Sequence, residues 1–276
     1  CVYIGLALIS PNHATAEVSL TTPSGISLSI HDTEYGSISV TNLIQDWPQL
    51  CVQAACPQGD CVPCESAQLY HAQGTQSLIE LSGRQRVTST AVIEGIEVNR
   101  LIYVPIDGPQ ESDAFLRIVD SFYNPTTQPQ SVSVSLGSLH AQSTVGSIGS
   151  QIWRTSSYDV DFNLDDRWVL IDDDQADEGQ DNVVVLFRGA GGEIPDMLSH
   201  DEGSRTMSWR YNEMTIPARQ RVNLITVIQV EPSRVQALSE VRSLLRFRPA
   251  DVTFGLDTLN RRAIYNVDID PDNTCP

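Results

Sequence analysis

The chain has 276 residues, 41% hydrophobic and 19% charged, and its 17 basic against 35 acidic side chains give a formal net charge of −18. That length supports a real hydrophobic core in one large domain or two smaller ones. The acidity excludes a phosphate-backbone binder, so no nucleic-acid partner is expected. Every basic residue is Arg, and without lysine there is no P-loop or Schiff-base chemistry. No apolar run approaches the ~20 residues of a transmembrane helix.

Residues 1–42 alternate as strands do. Val2 to Ile9 is mostly apolar; Ala16, Val18 and Leu20, then Ile26, Leu28 and Ile30, then Ile38 and Val40 follow, divided by Pro23-Ser24-Gly25 and Gly36. Residues 43–65 read as a cysteine loop entered at Trp47-Pro48. Cys51, Cys56, Cys61 and Cys64 crowd into it with short, even spacers among turn residues, which favours disulfides over a zinc site. Cys1 and Cys275 complete an even set of six, and pairing of all six implies an oxidising compartment, secreted or on the cell surface. The opening at Cys1 is read as a mature product freed of its signal peptide, with lipidation of Cys1 the second reading.

From 66 to 230 the rhythm continues. Strands are expected at 86–93, 96–104, 114–123, 130–136, 167–171, 182–188, 205–213 and 221–230. Ser233 and Gln236 form a capping box. Val235, Leu238, Val241, Leu244 and Leu245 then predict one face of a helix over 233–246, stopped by Pro249, and a short second helix is expected at 257–263. The fold class is all-β: an antiparallel β-sandwich of large sheets with one C-terminal amphipathic helix. The expected organisation is an N-terminal β segment, 1–90, carrying the Cys-rich loop 51–64 and packed on a sandwich domain, 91–276.

The stretches GIEVNRLIYVP (95–105), FLRIVDSFYNPTTQPQSVSVSL (115–136), DDRWVLIDDD (165–174) and MTIPARQRVNLITVIQV (214–230), ahead of the closing helix, resemble uncharacterised β-rich domains of large secreted and surface proteins of bacteria. The resemblance spans roughly 92–267. It implies a two-sheet sandwich of the supersandwich kind in an exported protein, and brings no catalytic residue.

Ten carboxylates lie between Asp159 and Asp181, with only Arg167 among them. Asp159, Asp161, Asn163 and Asp165 are candidate calcium ligands, since a hard cation relieves packed carboxylates. The match to an EF-hand loop fails at Leu164 and Leu170; the alternative is a solvated loop at a sheet edge. Asp268, Asp270 and Asp272 read as a polar tail. Gly189, Gly191 and Gly192 read as a turn, because Ile194 stands where a dinucleotide fingerprint needs glycine. The five histidines form no metal or nucleophile motif. Trp47, Trp153, Trp168 and Trp209 are core anchors or a sugar-stacking platform.

These features lead to a non-enzymatic extracellular structural protein, a self-associating filament or layer subunit whose VYIGLALI run adds to a neighbour's sheet. Its partners would be copies of itself or other surface proteins. The alternative is an extracellular carbohydrate-binding or adhesion module with glycan partners; a third reading is a carbohydrate-active enzyme, which needs paired carboxylates in a concave site.

Overall fold

The computed structural model describes residues 18–21, 27–30, 37–40, 43–56, 69–70, 77–81, 84–104, 115–139, 143–146, 150–172, 182–245 and 263–267. Among them are the strands β1 (Val18–Thr21), β2 (Ser27–Ile30), β3 (Ile38–Val40), β4 (Ile44–Trp47), β5 (Gln49–Ala54), β6 (Ser77–Leu81), β7 (Arg84–Ile93), β8 (Ile96–Val104) and β9 (Phe115–Tyr123). After these come β10 (Gln130–Gly137), β11 (Thr144–Val145), β12 (Gln151–Thr155), β13 (Trp168–Asp172), β14 (Asn182–Leu186), β15 (Met197–Asp201), β16 (Thr206–Ile216) and β17 (Arg221–Glu231), and the helix α1 (Arg234–Leu244). The all-β sandwich expected from the alternation is the fold.

An eight-stranded sheet runs β12-β13-β14-β17-β9-β8-β7-β6, a four-stranded one β15-β16-β10-β5, and a five-stranded one β1-β2-β3-β4-β11. Period two assigns the faces. In β17, Val222, Leu224, Ile228 and Val230 enter one continuous core that also takes Leu50, Val52, Val132, Val134 and Leu136 from the four-stranded sheet and Ile38, Val40 and Ile44 from the five-stranded one. Ile225 and Val227 point the other way and, with Val184, Leu186, Trp168 and Leu170, form a second cluster under α1. That double burial explains why β13 and β14 are buried at every position and read as unbroken apolar runs.

Strands from both sides of residue 90 share these sheets: β5 pairs with β10, and β7 with β8. The β7–β8 hairpin turns on Glu94 and Gly95, both at positive φ (51° and 76°), as a two-residue turn that matches strand twist requires. The expected loop over 43–65 is corrected in its first part, which forms β4 and β5. Leu50 and Val52 face the core, while Gln49 and Gln53 point outward yet are also buried; the segment alternates as a strand does, and it is the cysteine spacing from Cys51 onward that reads as a loop. The strand expected at 205–213 continues to Ile216. A bulge opposite Ser133 takes up Asn212 and Glu213 and returns Met214 and Ile216 to the inner face.

Ser233 caps the helix, as the expected capping box requires of it. The Gln236 amide donates to Ser233 Oγ at 3.3 Å, and that hydroxyl donates to Gln236 Oε1 at 2.8 Å. The buried face of the helix is Ala237, Val241 and Leu244, with Leu238 and Leu245 partly buried against the same cluster; Val235, expected there, is 79% exposed. The run VYIGLALI, residues 257–262 of the expected second helix, and Asp268, Asp270 and Asp272 lie outside the described residues. No described helix is long and apolar enough to cross a membrane.

Candidate functional site

The four proposed calcium ligands lie on the loop between β12 and β13, where Asp159 and Asn163 bond within the loop through their side chains and Asp161 and Asp165 through their backbones. Asp159 Oδ1 accepts from Thr155 Oγ1 (2.9 Å), Ser157 Oγ (3.0 Å) and the Asp161 amide (3.1 Å). Asn163 Nδ2 donates to the Asp161 carbonyl, and Asn163 Oδ1 accepts from the Asp165 amide. The hub is Asp166, which spacing did not single out. Fully buried, it accepts from Ser156 Oγ and the Ser157 amide on one oxygen, which also shares the single Ser157 Oγ proton with Asp159, and from the Asn163 amide on the other. Among the described residues no three His, Cys, Asp or Glu side chains converge as a metal would need.

Three of the four tryptophans are core anchors: Trp47, Trp168 and Trp209 are at most 3% exposed. Trp47 meets Trp209 edge-on at 5.8 Å and donates Nε1–H to the Met207 carbonyl. Trp153 is partly buried, with the guanidiniums of Arg154 and Arg234 each about 5 Å from its ring centre (5.1 and 5.0 Å). They make no shared stacking platform. Cys51 and Cys56 are disulfide-bonded, whereas Cys1, Cys61, Cys64 and Cys275 lie outside the described residues.

The glycine turn, by contrast, builds a site. Residues 187–196 carry the chain from the large sheet to β15 in the four-stranded one. Gly192 lies so close to Asn266 that a Cβ there would stand 2.0 Å from the Asn266 backbone. Asn266 staples segment 263–267 in place: its Nδ2 donates to the carbonyls of Phe187 and Ile225 (both 2.7 Å), and its Oδ1 accepts the Ile225 amide (3.0 Å). The Tyr265 carbonyl accepts the Glu193 amide at 3.0 Å, and the Tyr265 amide donates to Asn223 O at 2.8 Å.

So held, Tyr265 meets Tyr211 of β16 edge to face, centroids 5.5 Å apart at 83°. Tyr211 is 2% exposed, and its hydroxyl has no hydrogen-bond partner among the described residues. The Nε of the buried Arg188, within whose field the Tyr211 phenol lies, has none either; another nitrogen of that guanidinium donates to the Asp165 carbonyl. Exposed carboxylates surround the pair. Asp196 accepts the Asn212 amide at 2.6 Å, beside Tyr211 in the chain; Glu213 follows in the bulge, and Glu193 abuts Tyr265. Burial, and then the negative fields of Glu193, Asp196 and Glu213, push the Tyr265 phenol above its usual range. Burial pushes Tyr211 higher still, and burial followed by the like charge of Arg167 lowers Arg188. The arrangement places a neutral phenol and a guanidinium N–H, both buried without an acceptor among the described residues, beside a half-buried aromatic ring and exposed carboxylates. The sequence held one signal for it, the glycine turn; nothing local marked Tyr211 or Tyr265.

No family model matches the chain, and no curated protein matches it. The fold does match solved structures. A candidate aldose 1-epimerase from Klebsiella pneumoniae aligns over 83% of this chain and 82% of its own at 7% identity, TM-score 0.50. One from Escherichia coli K12 aligns over 79% and 99% at 9%, TM-score 0.48. The Slr1438 protein from Synechocystis aligns over 79% and 96% at 10%, TM-score 0.46. This finding overturns the expectation of a non-enzymatic filament or layer subunit: the two-layer sandwich that alternation and disulfides suggested for a building block is an architecture shared with a candidate sugar epimerase, and the fold of this chain is of that kind.

Proposed function

We propose that the chain is a carbohydrate-processing domain acting at the Tyr211–Tyr265 end of the sandwich. The observation that carries the reading is the aromatic pair with its unpartnered buried hydroxyl, rimmed by Glu193, Asp196 and Glu213. Sugar sites need this combination: an aromatic face for C–H surfaces, fixed donors for oxygens, and a carboxylate for proton transfer. The likeness in fold to a candidate aldose 1-epimerase agrees with it as an analogy. In the proposed reaction a rim carboxylate accepts the O1 proton of a cyclic aldose. The C1–O1 bond becomes a carbonyl, the C1–O5 bond opens, and O5 is protonated from water. Tyr211 and Arg188 stabilise the charge developing on oxygen without giving up their own protons. Reclosure on the other face of C1 reverses these transfers.

The test is polarimetry of fresh α-D-glucose and α-D-galactose with the purified chain. Interconversion faster than in buffer, lost in the Glu193→Gln, Asp196→Asn, Glu213→Gln triple variant, supports the reading. Rates equal to buffer for both sugars, with no saturable sugar binding, reject it. An exported location belongs to the same proposal, supported by the disulfide-bonded Cys51 and Cys56.

A further inference from the structure

A bulge sets two unlike side chains next to each other on the large sheet. The register of β12 against β13 slips between Ile152 and Arg154, and a bulge brings consecutive residues onto one face. Ile152 enters the inner core, while Trp153 packs against the outer cluster and Arg154 stands opposite Leu170 of that same cluster. The Arg154 guanidinium lies 5.1 Å from the Trp153 ring centre and 5.6 Å from that of Tyr158. Tyr158 is 58% exposed, yet its backbone sits in the left-handed region at φ 71°. A bulky residue is strained there, so its surroundings must hold it. Its amide donates to the Thr155 carbonyl at 3.1 Å, and the Thr155 amide donates to the Asp159 carbonyl at 2.7 Å.

Trp153 carries a second guanidinium, that of Arg234, 5.0 Å from its ring centre, and the two cations differ in one respect. Arg234 pairs with Asp172. Arg154, half-buried, makes no side-chain hydrogen bond or ion pair among the described residues. Carboxylates are near it in the chain, but Asp159 turns to Thr155 Oγ1, Ser157 Oγ and the Asp161 amide, and Asp166 is buried in the loop. A guanidinium set against aromatic rings keeps its N–H edge for a planar oxyanion. One unpaired cation beside an acidic loop matches a monoanionic carboxylate better than a phosphate dianion, whose second charge would meet only repulsion. β12 also has β13 as its one neighbour among the described strands, so an extended segment finds main-chain groups beside that guanidinium.

We propose that Trp153, Arg154 and Tyr158 form a carboxylate-binding site, which shares no residue with the Tyr211–Tyr265 end. Arg154 takes the carboxylate on its N–H edge, and the exposed Tyr158 ring flanks the group that bears it. The carboxylate belongs to a free organic acid or to an acidic side chain of an extended segment laid along β12. The probes are benzoate, its neutral isostere benzamide, and the blocked peptide Ac-Thr-Val-Glu-Val-Thr-NH2 with its Gln counterpart. Each is titrated into the intact chain while the Trp153 indole N–H signal is followed by NMR. Benzoate should shift the signal saturably, and benzamide at least about tenfold more weakly. Arg154→Met, which keeps the stem on Trp153, should abolish the saturable shift; Arg154→Lys, which keeps the charge without the planar fork, should weaken benzoate several-fold. Tyr158→Gly, which releases the strain at φ 71°, should keep or raise thermal stability and still weaken benzoate several-fold. A Glu peptide that binds more tightly than both benzoate and its Gln counterpart identifies the source as a polypeptide segment. Peptides that bind no better than benzoate identify a free acid, and either result upholds the site. No saturable shift with benzoate or the Glu peptide overturns the proposal. So does an equal response to benzamide, or benzoate binding undiminished in Arg154→Met or Tyr158→Gly.

Discussion

Arg100 and Asp120 stand directly opposite each other on β8 and β9, on the inner face of the large sheet, and neither is more than 1% exposed. The pair is bidentate, with Nε to Oδ1 at 2.7 Å and Nη2 to Oδ2 at 3.0 Å, and Nη1 donates to the Pro48 carbonyl at 2.8 Å. The guanidinium therefore ties the large sheet to the point where the chain passes from β4 to β5. Ser89, the other cross-strand neighbour of Arg100, accepts the Tyr70 hydroxyl at 2.8 Å.

Removing one member of that pair leaves a charge buried without its counter-ion. Asp120→Ala should cost about 3–5 kcal/mol, and the double variant Arg100→Met, Asp120→Leu should recover much of it, since an apolar pair removes both desolvation costs. Urea unfolding of the four chains of the cycle measures this. Additive effects of the two single truncations would contradict it.

Tyr70, beside that pair, carries a pH signature. Burial raises its phenol to about 12, against lowering contributions from Ser89 and Arg100. The folded value lies above the unfolded one, so the stabilisation is fully present below the unfolded pKa, near 10, and is lost as pH rises from there through the folded value. An alkaline titration at the tyrosinate band should show at least two phenols fewer ionising between pH 10 and 11.5 than in the unfolded chain, those of Tyr70 and the still more strongly raised Tyr211, and Tyr70→Phe should abolish one phenol's share of the difference. An unchanged difference in Tyr70→Phe would assign it elsewhere.

Much of this frame is legible in the residues. The β7–β8 hairpin shows as alternation broken at Glu94-Gly95, and the helix shows as its capping box. β5 is hidden by its cysteine: Gln49, Leu50, Val52 and Gln53 alternate as a strand does, but Cys51 opens the closely spaced cysteine set that reads as a loop. The candidate site is hidden for another reason: its members come from three separate segments, and Asn266, a polar residue in an unremarkable stretch, brings Tyr265 to Tyr211. The acidic stretch shows the opposite failure. It is conspicuous in composition, yet the carboxylates of Asp159 and Asp166 are spent on the amides and hydroxyls of their own loop, and that of Asp172 pairs with Arg234.

That spending predicts what the acidic loop responds to. Asp166, buried and accepting four hydrogen bonds, one of them shared with Asp159, should cost about 2–4 kcal/mol on replacement by Ala, because charge-assisted bonds are the strong ones and their donors would be left inside. Replacement of the exposed Asp159 should instead act locally. Its pKa is lowered, chiefly by the Thr155 hydroxyl bond, so its contribution holds above the ordinary aspartate range and fades as pH falls below it. Hydrogen exchange of the Asp161 amide, with and without Asp159→Asn, reads this directly. Equal protection in both chains would deny Asp159 its capping role.

The staple at Asn266 should be separable from the core. Asn266→Ala removes two bonds to carbonyls and one from an amide and uncovers those partners, for an expected cost of about 2–4 kcal/mol. Gly192→Ala drives a methyl group into the Asn266 backbone and should displace the same segment. Both should alter the ring signals of Tyr265 and Tyr211 in NMR spectra while leaving those of Trp47, deep between the sheets, in place. Loss of dispersion throughout the core spectrum would instead mean that segment 263–267 is integral to folding.

Tyr211 supplies the sharpest contrast between stability and function. Its hydroxyl is desolvated without an acceptor among the described residues, which a fold selected for stability alone would replace with Phe. Tyr211→Phe should therefore be neutral or stabilising by about 1 kcal/mol in urea unfolding, while sugar processing at the site falls. A residue that weakens the fold and strengthens the site is what the trade-off between stability and activity predicts. Destabilisation by Tyr211→Phe would show that the hydroxyl serves the fold, and the site would lose the group that orients its substrate.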